Sequence, residues 1–410
     1  MIALVVFLVV GAAAAALLRL SLPPSIPGFI GALFLVGIAC NGIVVYVAGA
    51  VRLPLVFWLV PTASAIVLFI RRPPWPPGRR HSAWATVALA LPLGALVVAA
   101  AILPIRDYDG RVTWLPKAHA IASDRAIDGA YFHGAQGYNA HNRYPLLLPL
   151  DDATVLSFSH DDESVRWIYV LFVVSLLLVA RDFVSDWIVA GAAWLPILLT
   201  VEGGALAAYN DFALCAFVGM AILSSDARIV ALFLAALVLT KNEGGVLAFA
   251  IAVALLVARR VRWPIVVAPL LAIGVLALWR MRIPPAYDEQ YGVLLRDLPR
   301  LLHRLPTAMS ALALHACDVH EWGWFWPWTL VAAVVVMARR RPAEIIVPSL
   351  TIVLTLLAYT FALTVTSWRI EELAGVAANR LLVHLLVPAC WIVAQAIAPD
   401  LPTSRRPMPS

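Results

Sequence analysis

Charge is scarce in this sequence: Asp, Glu, Lys and Arg make up 13% of 410 residues. A soluble domain carries about a quarter. No long polar stretch compensates, so nothing in the chain reads as a soluble domain of its own. Cysteine is scarce too. Cys40, Cys215, Cys317 and Cys390 show no CxxC spacing, which excludes a zinc ribbon, and three of them fall inside apolar runs, which argues against a disulfide framework. The N-terminus MIALVVFLVVGAAAAALLRL lacks the basic region of a cleaved signal peptide and reads as a first transmembrane helix. Short-period repeats, low-complexity tracts and heptads are absent.

What is present is apolar. Hydrophobic residues reach 62% and the mean hydropathy is +0.89. One globular core cannot hide that excess, because cores stop growing at a few hundred residues; a bilayer can. The net charge of +6 does not indicate nucleic acid, since the basic residues sit in short clusters between apolar runs, as in membrane topology.

Apolar runs over about 2–20, 28–50, 53–70, 83–104, 165–181, 186–200, 208–224, 228–240, 245–258, 263–280, 323–338, 343–365 and 381–398 predict an all-α polytopic membrane protein. It would have roughly 11–13 transmembrane helices. Four arginine clusters (Arg71, Arg72, Arg79 and Arg80; Arg259, Arg260 and Arg262; Arg339–Arg341; Arg405 and Arg406) are separated by even numbers of spans. All four therefore fall on one face, which the positive-inside rule makes cytoplasmic. Residues 1–82 then form N-terminal helices with a basic loop, 83–398 the main transmembrane module, and 399–410 a cytoplasmic tail. The loops at about 105–164 and 281–322 face outward, with the turns near Glu202–Asp211 and Thr240–Gly245 and the stretch Ser367–Arg380.

Most acidic residues collect on that outer face, several at the ends of apolar spans, where burial is costly. Asp107 and Asp109 follow a span beside Arg106 and Arg111, ahead of Trp114 and Lys117. They fit an acid/base or metal-coordinating pair and equally a solvated turn capping the next helix. Asp211 in Tyr209-Asn210-Asp211 suits a helix N-cap. Lys241 and Glu243 sit in the tight turn Thr240-Lys241-Asn242-Glu243-Gly244-Gly245. They suit an internal pair or a phosphate contact. Arg380 opens the last span; it can snorkel or grip a phosphate with its fork of donors. The 299–305 segment is amphipathic and suits an interfacial position. His315, Asp318, His320 and Glu321 are metal-ligand types, but their spacing favours ordinary loop residues. Trp322, Trp324, Trp326 and Trp328 suit headgroup anchors.

The order Asp109-x4-Trp114-x2-Lys117-Ala118, His141-x2-Tyr144-Pro145-Leu146-x2-Pro149, Tyr209-Asn210-Asp211, Thr240-Lys241-Asn242-Glu243-Gly244 and Asn379-Arg380-Leu381-Leu382-x-His384-x3-Pro388 resembles bacterial membrane glycosyltransferases of the GT-C class. It is more loosely similar to the protein O-mannosyltransferases and the lipid A aminoarabinose transferases. The resemblance covers about 85–390. It implies a GT-C-like module with a large extracytoplasmic first catalytic loop, in the bacterial cytoplasmic membrane. It implies transfer of a sugar from a polyprenyl phosphate to an envelope glycan, lipid or protein acceptor, with inversion. Asp109 matches the family's base and Asp107 is the fallback; Tyr108 stands where the family has tryptophan. Lys241 and Arg380 would stabilise the lipid phosphate, with Lys117, His141, Tyr144, Asp211 and Glu243 as further binding groups. A divalent metal ion is left open, and no other cofactor is implied. The alternative is a polytopic transporter or flippase, but transporters commonly show internal repeats and midplane polar sites. Here the polar residues gather at span ends on one side.

Overall fold

The computed structural model describes residues 2–105, 108–134, 141–159, 161–193, 206, 208–260, 263–284, 297–339, 342–366 and 368–397. Among these the chain is all helical, with no strand. In chain order the helices are α1 (Ile2–Leu18), α2 (Ile26–Ala50), α3 (Leu59–Ile70), α4 (Ala83–Ile102), α5 (Leu115–Asp124), α6 (Ala130–His133), α7 (Leu147–Ser159), α8 (Glu163–Ala180), α9 (Asp186–Ala192) and α10 (Asp211–Leu223). They continue as α11 (Ala227–Thr240), α12 (Asn242–Val257), α13 (Val267–Arg280), α14 (Leu298–Ala316), α15 (Val319–Trp322), α16 (Phe325–Ala338), α17 (Pro342–Val365), α18 (Ile370–Val383) and α19 (Leu386–Ile397).

By length and composition α2, α4, α8 and α17 can each cross a membrane, and α18 with α19 makes a fifth span bent by 52°. Seven further apolar helices are shorter, at 10–17 residues. The sequence expectation of 11–13 spans counted these shorter helices as crossings as well. Hydrophobicity marks an apolar run but not where the backbone turns inside it. Span 53–70, for instance, contracts to the 12 residues of α3.

The bundle is built around helices that are apolar on every side. All 13 residues of α10 are buried, and α2, α7 and α11 join it in one core. Peripheral helices are apolar outward instead. Trp84, Val87, Leu91, Val98 and Ile102 on α4 are exposed, and Phe69 at the end of α3 is 95% exposed. A surface this apolar belongs in lipid. Helices α1 and α2 pack backbone to backbone. A Cβ on Gly11 would lie 1.8 Å from the Leu33 carbonyl oxygen, and one on Gly37 1.8 Å from that of Phe7. Each glycine thus lets the opposite backbone into contact, as small residues do in membrane bundles.

Polar side chains tie the loops at one end. Asp182, buried at the α8–α9 corner, accepts from the backbone and hydroxyl of Ser25, the α2 cap. His81 lies 2.8 Å from Asp186, and Arg79 donates to the Asp182 carbonyl. Arg339 donates to the Ala396 carbonyl at the end of α19. Asp226 caps α11, accepts from Ser21 N–H and pairs with Arg228, which also reaches the Leu18 carbonyl. Burial alone would raise the Asp226 pKa; the Arg228 and Ser21 donors outweigh it and hold the carboxyl below its ordinary value. A carboxyl lowered in the folded state stabilises above its unfolded pKa, and that contribution fades as pH falls through the lowered folded value. The stability difference between wild type and Asp226→Asn is therefore expected to be constant near neutrality and to shrink below about pH 4. Thermal midpoints measured from pH 7 to pH 3 test this, and a difference that grows on acidification contradicts it.

The expected outer loops are largely helical. The 105–164 loop contains α5, α6 and the buried α7, and most of 281–322 is α14, α15 and their junction. The amphipathic 299–305 segment lies in α14, which packs Ala308 and Leu312 against Tyr359 and Leu363 of α17 and Ala374 and Ala378 of α18. Arg304 fastens it to the Thr366 and Trp368 carbonyls.

Candidate functional site

The site assembles around Asp211, the first residue of α10 and wholly buried. A helix N-terminus favours a carboxylate through its unpaired N–H groups and dipole. Asp211 makes no cap, however: Asn210 holds that position, and the Asp211 side chain turns to three partners instead. Lys241 Nζ lies 3.0 Å from Oδ1, Arg380 Nε 2.9 Å from Oδ2, and His384 Nε2 2.9 Å from Oδ1. Reading Asp211 as an N-cap alone is thereby corrected.

Lys241 and His384 are delivered by breaks between helices, and Arg380 by the last turn of α18. Lys241 stands extended between α11 and α12. The sharp turn needs Gly244, whose Cβ would fall 1.8 Å from the Leu237 carbonyl oxygen. The same turn brings Glu243 to 3.3 Å from Lys241. The internal Lys241–Glu243 pair read from sequence is present, as one arm of a larger network. His384 and Leu385 sit at the bend between α18 and α19. Pro388, four residues on, cannot donate to the His384 carbonyl and its ring crowds it. The bend follows, and it turns His384 inward against Asp211. Asp211 can only accept, so Nε2 carries a proton, and Nδ1 shares a 2.7 Å hydrogen bond with the Tyr359 hydroxyl.

Arg380 extends the network outward. Its Nη1 lies 2.8 Å from Asp109 Oδ2, and its guanidinium stacks over Tyr209 at 4.3 Å. Asp109 opens a π-helical turn, Asp109–Trp114, that runs into α5. Pro116 removes one helical donor there, and the ladder widens so that Leu115 N–H reaches Gly110. Three carboxylates (Asp109, Asp211, Glu243) thus meet two permanent cations (Lys241, Arg380). Charges buried to this degree persist only when paired. Asp109 and Glu243 keep about a quarter of their side chains exposed, against none for Asp211.

A second group lies alongside. Lys117, fully buried on α5, donates to the His141 carbonyl at 2.7 Å. It stands 5.0 Å from the Trp114 ring and 5.8 Å from Tyr144. Tyr144 in turn stacks on His141, with ring centroids 4.5 Å apart. Arg280, at the end of α13, bridges the two groups. It donates to Asn242 in the Lys241–Glu243 turn and to the Arg143 carbonyl beside Tyr144.

The structure therefore gathers Asp109, Asp211, Lys241, Glu243 and Arg380 into one network, and Lys117, His141 and Tyr144 into its neighbour. Asp107 lies outside the described residues. Sequence reasoning assigned no role to His384, Tyr359 or Arg280. The His384-x3-Pro388 spacing was a usable signal for the first, since it marks a kink. Tyr359 and Arg280 carry no local signal, being recruited from mid-span and span-end positions. His315, Asp318, His320 and Glu321 fall at the α14–α15 junction, where Asp318 caps α15 by accepting from His320 N–H. Among the described residues no group of three or more His, Cys, Asp or Glu is arranged to hold a metal ion. Arg380 bridges Asp109 and Asp211, so its guanidinium stands where a shared cation would. Comparisons with protein-family models, with curated proteins and with solved structures return no match for this chain.

Proposed function

We propose that this protein is a GT-C-type membrane glycosyltransferase that moves a sugar from a polyprenyl phosphate to an acceptor on the extracytoplasmic side of the bacterial cytoplasmic membrane. One observation carries this reading. Five residues scattered from 109 to 380, each placed by sequence on the outer face, converge on a single network at helix ends. Displacing phosphate at an anomeric carbon needs a base at the acceptor hydroxyl and donors for the departing phosphate. Asp109 supplies the base. The network has one carboxylate more than its cations, and Asp109 keeps part of its surface open. Arg380 supplies the donors. Nε and Nη1 are held by Asp211 and Asp109, which leaves Nη2 of the fork to meet a phosphate oxygen.

Lys241 and Asp211 then act by positioning. Lys241 is spent on Asp211 and Glu243, and Asp211 fixes the angle of the Arg380 fork. An apolar crevice supports a prenyl donor. Phe212 and Leu386, beside Asp211 and His384, line its upper end, and Leu176, Val184 and Leu223 continue it. No step here passes through a metal ion.

The test uses purified protein in detergent with a panel of polyprenyl-phosphate sugars and a crude envelope extract, following release of free polyprenyl phosphate. Asp109→Asn is expected to cut release by about 10²–10⁴-fold. Its thermal midpoint should stay within a few degrees of wild type, as fits a partly exposed pair. Release that survives the substitution removes Asp109 as the base. Wild type that neither binds nor releases any donor, yet moves lipid or solute in liposomes, replaces the enzyme with a transporter.

A further inference from the structure

A recess of about 760 Å³ opens where four helices end. Arg52 follows α2, Arg125 follows α5, His133 closes α6 and Arg282 follows α13; all four line it, together with Asp128. Asp128 is the one carboxylate in the lining. It lies 3.4 Å from Arg282 and 4.0 Å from Arg52, and Arg125 makes no ion pair among the described residues. Two guanidiniums therefore share a single carboxylate, and a third lines the same open volume with no carboxylate partner among the described residues.

A cation at a helix C-terminus complements the dipole, and that would account for each arginine taken singly. It does not account for their convergence, because dipole effects fall off within a turn and ask for no common focus. Nor does it account for the backbone. Arg52 (φ +61°) and Arg125 (φ +50°) are left-handed, at a position where helices usually place glycine. Keeping arginine there costs backbone strain of order 1 kcal/mol, which suits a position whose side chain is used.

We infer that this recess binds a phosphate group, through the Arg52, Arg125 and Arg282 guanidiniums. Arginine forks match phosphate oxygens in pairs and are weakly hydrated, and Arg52 and Arg125 are exposed enough to receive a ligand from outside. Arg282 is pinned by the Ala50 carbonyl as well as Asp128, so it forms the fixed floor of the site. The recess is separate from the Asp211 network. Arg280 turns into that network and Arg282, two residues on, turns into the recess. The inference does not depend on glycosyl transfer.

The test is a titration of the full-length protein in neutral detergent. Sodium phosphate is compared with sodium chloride at matched ionic strength, and short-chain phosphatidic acid with phosphatidylcholine, following the thermal midpoint. A saturable rise with phosphate and phosphatidic acid, absent with their controls, is expected. A response to both means the phosphate group suffices; a response to phosphatidic acid alone means a lipid headgroup held with its chains. Arg52→Gln/Arg125→Gln should weaken the response about tenfold or more. Asp128→Asn, which removes the opposing carboxylate, should tighten it, and this second variant stands if the arginine pair fails to fold. No saturable response in wild type, or one unchanged by these variants, overturns the site.

Discussion

Asp211→Ala is expected to lower the thermal midpoint more than any other single substitution in the network, by roughly 5–15 °C. The wild-type carboxylate is wholly buried and holds Lys241, Arg380 and His384 within about 3 Å. Removing it strips Lys241 and Arg380 of their buried counter-charge and leaves them only the partly exposed Glu243 and Asp109, and breaking a buried pair costs about 3–5 kcal/mol. The penalty comes from the stranded charges and not from the lost bond itself. Asp211→Ala/Lys241→Met/Arg380→Met should therefore be more stable than Asp211→Ala, although it carries more substitutions, because the two carboxylates it leaves, Asp109 and Glu243, are about a quarter exposed and reach water. Unfolding followed by tryptophan fluorescence in one detergent compares the two. If the triple variant is the less stable, the network is not an ion cluster of this kind. Neither variant should transfer sugar, because the Arg380 fork is misplaced in one and absent in the other.

Gly37→Ala is expected to loosen the α1–α2 pair, at a cost of about 1–3 kcal/mol. A methyl group there would sit 1.8 Å from the Phe7 carbonyl oxygen, and the obstacle is backbone, which cannot swing aside as a side chain would. Gly11→Ala should cost a similar amount, since its Cβ would meet the Leu33 carbonyl oxygen at 1.8 Å. The two positions share one interface. Once one methyl has parted the helices, the second finds room, so the double variant should cost less than the sum. Gly94→Ala and Gly274→Ala provide the contrast. Both lie in helices with nothing within 4 Å of the added Cβ, and alanine is the better helix former by up to about 1 kcal/mol. Neutral or raised midpoints are expected for these two. Equal losses at all four positions would mean that glycine acts here through something other than close packing.

Much of the site was legible in the sequence because costly residues stand out against an apolar background. Lys241, Glu243, Asp211 and Arg380 are conspicuous at the ends of hydrophobic runs, where a charge must find a partner. That requirement says a partner exists but not which one. Asp211 reads locally as a cap, and Lys241 reads as paired with its neighbour Glu243. Their meeting depends on α10, α12 and α18 packing side by side, a contact spanning 169 residues in the Asp211–Arg380 case. The recess shows the same limit. Arg52, Arg125 and Arg282 each look like an isolated basic residue after a helix, and only packing turns them into one surface.

Helical character, and an excess of apolar surface that calls for lipid, can be read from the residues alone. So can which polar residues are expensive enough to matter, because composition and hydropathy act locally and add along the chain. The tertiary structure alone decided the rest. It set how many apolar helices are long enough to cross and where α18 breaks to admit His384. It also chose which cation answers which carboxylate. Those choices follow from close packing and from electrostatics at about 3 Å, and neither depends on distance along the chain.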